Sequence, residues 1–316
     1  MRLFILGNGF DCAHGLPTGY SDFRDYLEIH NPEFLIEFEK IHNYYPVEEE
    51  RLSSLMLKKR KDLIKETLWK KFESNLSKFD IDRMVSESSS LRDLMVPDVG
   101  DVGVKDTMDA HWNDNYEFLY KIDELMLQWI ESISLSQIKK LRAFDVDDLF
   151  LTFNYTKVLE KIYNIPANHV LHIHGSIDNA SIVIGHNDNA ITEKMLSHVK
   201  QSQENFDEFD ESVYEFIYKI QKKYVKDTQS QISQNWHFFV NLKGVNEIYV
   251  LGHSFGKVDW PYFEVIRKIS KEAKWNVYYF HVSDKKAFNC LNEKLKIPKS
   301  KLNFAQSKNF WIIRTC

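Results

Sequence analysis

The stretch Arg2-Leu3-Phe4-Ile5-Leu6-Gly7-Asn8-Gly9-Phe10-Asp11 joins an unbroken apolar run to an abrupt glycine turn. A run this short with no polar alternation has no face to offer water. It reads as a strand buried on both sides, the situation of strands in parallel sheets. The turn Gly7-Asn8-Gly9 fits such a strand, because glycine lets the backbone reverse sharply and approach a neighbour closely.

Outward from this segment, further strand-like runs fall at 148–153, 170–173, 181–184, 247–251 and 275–282. Helical spacing is read over 20–42, 52–76, 118–133, 206–224 and 262–273. Strands alternating with helices predict an α/β fold with a doubly wound, mostly parallel sheet. The chain is read as one domain over 1–316 with helical insertions at about 45–140 and 190–240. The Ser-rich stretch leading to Pro97, Gly100 and Gly103 predicts a long loop over 86–110.

Composition narrows the function classes. The chain has 316 residues, of which 43% are hydrophobic and 14% aromatic, enough for a large core. No apolar run is long enough to span a bilayer and no basic leader precedes one, so no membrane association and a cytoplasmic location are expected. Cys12, Cys290 and Cys316 are scattered and odd in number, which argues against a zinc site or disulfide framework, and no metal is expected. A formal charge of −5 argues against a nucleic-acid partner. The run Lys58-Lys59-Arg60-Lys61 reads as the solvated side of a helix whose buried side is Leu52, Leu55, Met56, Leu63, Ile64, Leu68 and Phe72.

In doubly wound sheets ligands bind beyond the carboxyl ends of the strands. Four such edges carry chemistry here: Gly7-Asn8-Gly9-Phe10-Asp11, Thr152-Phe153-Asn154-Tyr155-Thr156, His172-Ile173-His174-Gly175-Ser176 and Gly252-His253-Ser254-Phe255. The first departs from the dinucleotide fingerprint, since Cys12 stands at the third glycine, and alone it reads equally well as a ligand-free turn. Asn154 alone reads as a helix cap, and His174 alone as a hydrogen-bonded core histidine. His172 and His174 could share a strand face, but no third ligand has suitable spacing. Asp22 and Asp259 read as surface or capping residues, and His253 as a turn histidine or a ligand contact.

Together these edges resemble a known pattern. Gly7-Asn8-Gly9 followed by Gly15-Leu16-Pro17, then Asp22-Phe23-Arg24, is similar to the first nucleotide-binding motif of sirtuins, with the Asp-Phe-Arg displaced by an insertion. Thr152-Phe153-Asn154 resembles the sirtuin TxN, His174-Gly175-Ser176 its HGS, and Gly252-His253-Ser254 its later GTS, all in sirtuin order. The opening through Phe23 is similar to the AbiH abortive-infection family of bacteria.

The resemblance implies a sirtuin-like, Rossmann-like domain with NAD as substrate or bound ligand. Gly7, Asn8, Gly9, Asp11, Pro17, Thr152, Gly175, Ser176, Gly252 and Ser254 would line its site. It implies that Asn154 orients the ribose or the attacking water and that His174 is the general base for cleaving the nicotinamide ribosyl bond. Two departures bear on this. The four-cysteine zinc module of the deacylases is missing, and Thr156 stands where sirtuins have Asp, a charge that Asp11 could supply instead. The expected function is an antiphage NAD hydrolase. The alternative is a non-hydrolytic sensor of NAD, ADP-ribose or a signalling nucleotide acting through a protein partner. A third reading makes the helical insertions an interaction surface. A homo-oligomer and a phage-derived trigger are compatible with all three.

Overall fold

The computed structural model describes residues 1–48, 52–95, 103–179, 181–280, 291 and 293–311. The apolar opening run forms β1 (Arg2–Leu6), and Leu149–Thr152, Val170–His172, Glu247–Leu251 and Lys274–Tyr279 form β2, β3, β6 and β7. With β8 (Leu302–Gln306) they make a six-stranded sheet in the order β3-β2-β1-β6-β7-β8, every pairing parallel. This is the doubly wound Rossmann-like α/β architecture expected from the sequence. Strand order reverses between β1 and β6, which makes their carboxyl ends the topological switch point.

The two-sided burial expected of β1 follows from strand alternation. Leu3 and Ile5 enter one core with Leu151, Ile248, Val250, Trp275 and Val277, beneath helices Thr228–Gln234, Trp236–Val240 and Trp260–Ile269. Phe4 and Leu6 enter the opposite core with Phe10, Phe150, Leu159 and Leu251. On that face the ring of Phe4 stacks on its in-register neighbours Phe150 and Tyr249, at 5.3 and 5.0 Å.

By its contacts the chain forms two compact units, one of Met1–Gly19, Leu127–Val183 and Asp227–Cys316, the other of Tyr20–Met126 and Ile184–Lys226. The first holds the parallel sheet. The second is helical, with a core of aromatic contacts such as Trp69 stacked on Phe72 at 5.4 Å.

Several expectations are corrected. Residues 181–184 do not add a strand to the parallel sheet: Ser181–Ile182 (β5) pairs antiparallel with Gly175–Ser176 (β4) in a separate ribbon. The short 3-10 turn Ile177–Asn179 lies between the two strands of this ribbon. The loop predicted over 86–110 is mostly helix, Ile81–Met95 and Val104–Tyr116, with 96–102 outside the described residues. Ser89 and Ser90 donate to the carbonyls of Val85 and Ser86, which lets a serine run stay helical. Helix 20–42 is broken at Asn31-Pro32 into Tyr20–His30 and Pro32–Lys40. In helix Ser54–Thr67 the predicted buried side is only partly buried: Ile64 is inside, whereas Leu55, Met56 and Leu63 are exposed. The basic run on that helix is partly paired, Lys61 with Asp25 and Glu28, and Arg60 with the Tyr45 carbonyl. The strand expected over 275–282 ends at Tyr279, with 281–282 outside the described residues, and β8 was not anticipated.

Candidate functional site

Sheet register decides which motifs meet. Leu6 pairs with Thr152, so the segments leaving β1 and β2 emerge side by side. The first turns at once into a short helix, Gly9–Ala13, which carries Asp11. From the second come Asn154 and Thr156. Asn154 Nδ2 donates to Asp11 Oδ1 at 3.0 Å, and Thr156 Oγ1 donates to Asp11 Oδ2 at 2.6 Å. The Thr152 hydroxyl accepts the Asn154 backbone N–H at 3.1 Å and fixes the start of this segment.

All four side chains are buried, Asp11 to 1% exposure. Removal from water disfavours a carboxylate, so burial pushes the Asp11 carboxyl from 3.8 up to about 6, against the pull of the two hydrogen bonds and of the charge on His172.

His172 ends β3 beside β2. Its Nδ1 donates to the Asn154 carbonyl at 2.9 Å, and its Nε2 lies 2.8 Å from Glu160 Oε1. Burial would raise the Glu160 carboxyl, but the hydrogen bond from His172, with the charges of His172 and Lys157, holds it below its ordinary value. His174 meets a different carboxylate. Its Nε2 lies 3.4 Å from Asp259 Oδ1, and its ring stands edge-on to Phe153 at 5.0 Å. The supposed strand face shared by the two histidines is thus divided, because β3 ends at His172 and the chain turns. Among the described residues no group of three or more His, Cys, Asp or Glu is arranged to hold a metal.

The glycine turns meet at the switch point. Gly7 N donates to the Leu251 carbonyl and Gly9 N to the Gly252 carbonyl, each at 2.9 Å. A Cβ on Gly7 would stand 2.6 Å from Gly252 O, and one on Gly252 would stand 2.5 Å from the Gly9 backbone. These glycines are therefore required by backbone packing, and two amides that a phosphate could have used are already engaged. Asn8, Pro17 and Ser254 lie on the surface, and Asn8 Oδ1 accepts from Thr18 Oγ1. Ser176 is buried in β4, beside Gly175.

Sequence reasoning missed Asp259. It precedes helix Trp260–Ile269, where Pro261 signals a helix start and so suggests a cap, yet its side chain makes no cap bond and is buried at 7% exposure. Arg24, from the displaced Asp-Phe-Arg run, is buried in the helical unit, with Nε donating to Glu39 at 2.8 Å. Nothing in the local sequence pointed to either pairing.

A doubly wound parallel sheet whose buried polar residues gather beyond the carboxyl ends of adjacent strands defines a Rossmann-like α/β protein with its candidate site at the strand ends. The family described as "Bacteriophage abortive infection AbiH" matches residues 3–279. The chain belongs to the AbiH family, and a role in abortive infection by bacteriophage follows from that membership. Comparison with curated proteins and with solved structures returned no match in either. Among the described residues, no helix is long and apolar enough to cross a membrane.

Proposed function

We propose that this protein is an abortive-infection effector that hydrolyses NAD, adding water across the nicotinamide ribosyl bond to give ADP-ribose, nicotinamide and a proton. The observation that carries the reading is the Asp11–Asn154–Thr156 cluster. The sirtuin-like pattern calls for a carboxylate where Thr156 stands, and Asp11 brings one to within 2.6 Å of the Thr156 hydroxyl. Cleavage builds positive charge on the ribose, which a pre-positioned buried carboxylate stabilises more strongly than a solvated one.

In this reading the bond from Nδ2 to Asp11 fixes the Asn154 side chain, and its amide oxygen orients a ribose hydroxyl or the attacking water. His174 takes the proton released as that water attacks, a task suited to imidazole near neutral pH. Loss of NAD would arrest an infected cell.

The test is nicotinamide release from NAD by the purified protein, beside Asn154→Ala and His174→Ala variants verified as folded by circular dichroism. Turnover in the parent that both variants lose supports the reading. Tight NAD binding with no turnover would replace it with the sensor.

A further inference from the structure

We propose that Asp259 is the positioning residue of His174, fixing its ring hydrogen on Nε2 so that Nδ1 is the basic nitrogen, with His253 anchoring the carboxylate from its other side. The inference rests on the reading of His174 as the general base, and its first test does not need turnover.

Hydrogen-bond roles start from the backbone. Phe255 N–H donates to His253 Nδ1 at 2.9 Å. A nitrogen that accepts a hydrogen bond carries no proton, so the ring hydrogen of neutral His253 lies on Nε2. That nitrogen is 3.4 Å from Asp259 Oδ2. The other carboxylate oxygen, Oδ1, is 3.4 Å from His174 Nε2. Asp259 therefore stands between two imidazoles delivered by different strand ends, His174 beyond β3 and His253 beyond β6.

The surroundings hold this geometry. The side chains of His174, His253 and Asp259 are 5%, 4% and 10% exposed, so the carboxylate is largely shielded from solvent. The Phe153 ring packs edge-on against both imidazoles, at 5.0 and 4.3 Å. Phe255 has φ +55°, a left-handed backbone that a bulky side chain adopts only under strain. In that conformation its amide reaches His253 Nδ1, and strain of this kind persists where the surroundings over-determine it.

At 3.4 Å the contact is a charge pairing and not an aligned hydrogen bond: the carboxylate favours the tautomer with its hydrogen on Nε2 and stabilises the imidazolium formed when Nδ1 takes a proton from water. A residue serving only to fill space would fix neither the tautomer nor the rate.

The experiment is long-range proton–nitrogen correlation NMR on uniformly 15N-labelled protein, with His174 assigned by its loss in His174→Gln. The expected result is the Nε2–H tautomer for His174 in the parent, and in Asp259→Asn a mixed or exchanging signal with the fold retained. An Nδ1–H tautomer in the parent overturns the proposal without any variant, as does an unchanged His174 signature in Asp259→Asn. In the NAD assay, Asp259→Asn should lower kcat roughly 10²-fold with little change in KM; a change confined to KM counts against positioning. If Asp259 sets the tautomer but the parent releases no nicotinamide, the positioning stands and the hydrolase reading falls.

Discussion

The Thr156 hydroxyl donates to the Asp11 carboxylate at 2.6 Å, joining the segment after β2 to the short helix after β1 inside the protein. Asn154 binds the other oxygen of the same carboxylate. Replacing Asp11 with Ala would strand both donors without an acceptor, each at a cost of about 1–3 kcal/mol. Thr156→Val removes only one bond. At about pH 4, where the buried Asp11 carboxyl is protonated and carries no charge-burial penalty, we expect Asp11→Ala to lower urea stability by about 2–6 kcal/mol and Thr156→Val by about 1 kcal/mol. Equal effects in the two variants would mean that Asp11 is not the shared acceptor.

Asp11 also predicts a pH dependence of stability. Its carboxyl is raised from 3.8 to about 6 mainly by burial, so between these values the folded state holds a proton that the unfolded state releases. The resulting stability is fully present below 3.8 and lost as pH rises through about 6. The full shift corresponds to about 3 kcal/mol. Asp11→Asn cannot ionise there, so the stability of the parent relative to this variant should fall between pH 4 and pH 6.5 and then level off. Urea titrations across that range check the sign; a difference that grows with pH refutes it.

The glycine turns separate two kinds of glycine. Gly252 combines φ +64° with a Cβ position 2.5 Å from the Gly9 backbone, whereas Gly15 has φ +79° and nothing within 4 Å of its Cβ. Gly15→Ala should cost only the backbone penalty, about 1–2 kcal/mol. Gly252→Ala must also push β6 from the β1 turn, and we expect more than about 4 kcal/mol or no folded protein. Thermal melts of the two variants compare them directly; equal losses would show that the close approach does not matter.

What was legible in the sequence follows the range of the forces involved. Strand burial and parallel order could be read because Leu3 to Leu6 are all apolar and each strand run ends in polar or glycine residues. The edges at Asp11, Asn154 and His174 were visible because strand ends are where such sheets carry ligands. What could not be read were pairings across many residues. Asp259 looks like a cap because Pro261 follows it, and only the fold turns its carboxylate toward His174 and His253. The strand Leu302–Gln306 escaped because its LNFAQ sequence lies at the sheet edge, half exposed, without the apolar run that marks inner strands. The serine-rich helix escaped because its hydroxyls bond to its own carbonyls, a compensation that composition does not reveal.

Arg24 offers a last test, since its Asp-Phe-Arg run belongs to a nucleotide motif in the sirtuin-like pattern. Here its Nε donates to Glu39 Oε1 at 2.8 Å, its Nη1 lies 3.3 Å from Glu28, and Trp69 Nε1 donates to the same Glu39 oxygen at 2.9 Å. Arg24 and Glu39 are both buried, so their pairing compensates two desolvated charges. Glu39→Leu leaves the guanidinium only the half-exposed Glu28 at 3.3 Å and should cost about 3 kcal/mol, whereas adding Arg24→Met removes the stranded charge and should recover much of that loss. Trp69 loses its acceptor in both variants, so it does not affect the comparison. Recovery in the double variant, measured by urea unfolding, identifies Arg24 as a structural partner of Glu39. A double variant no more stable than Glu39→Leu would mean that Arg24 does not depend on this pairing.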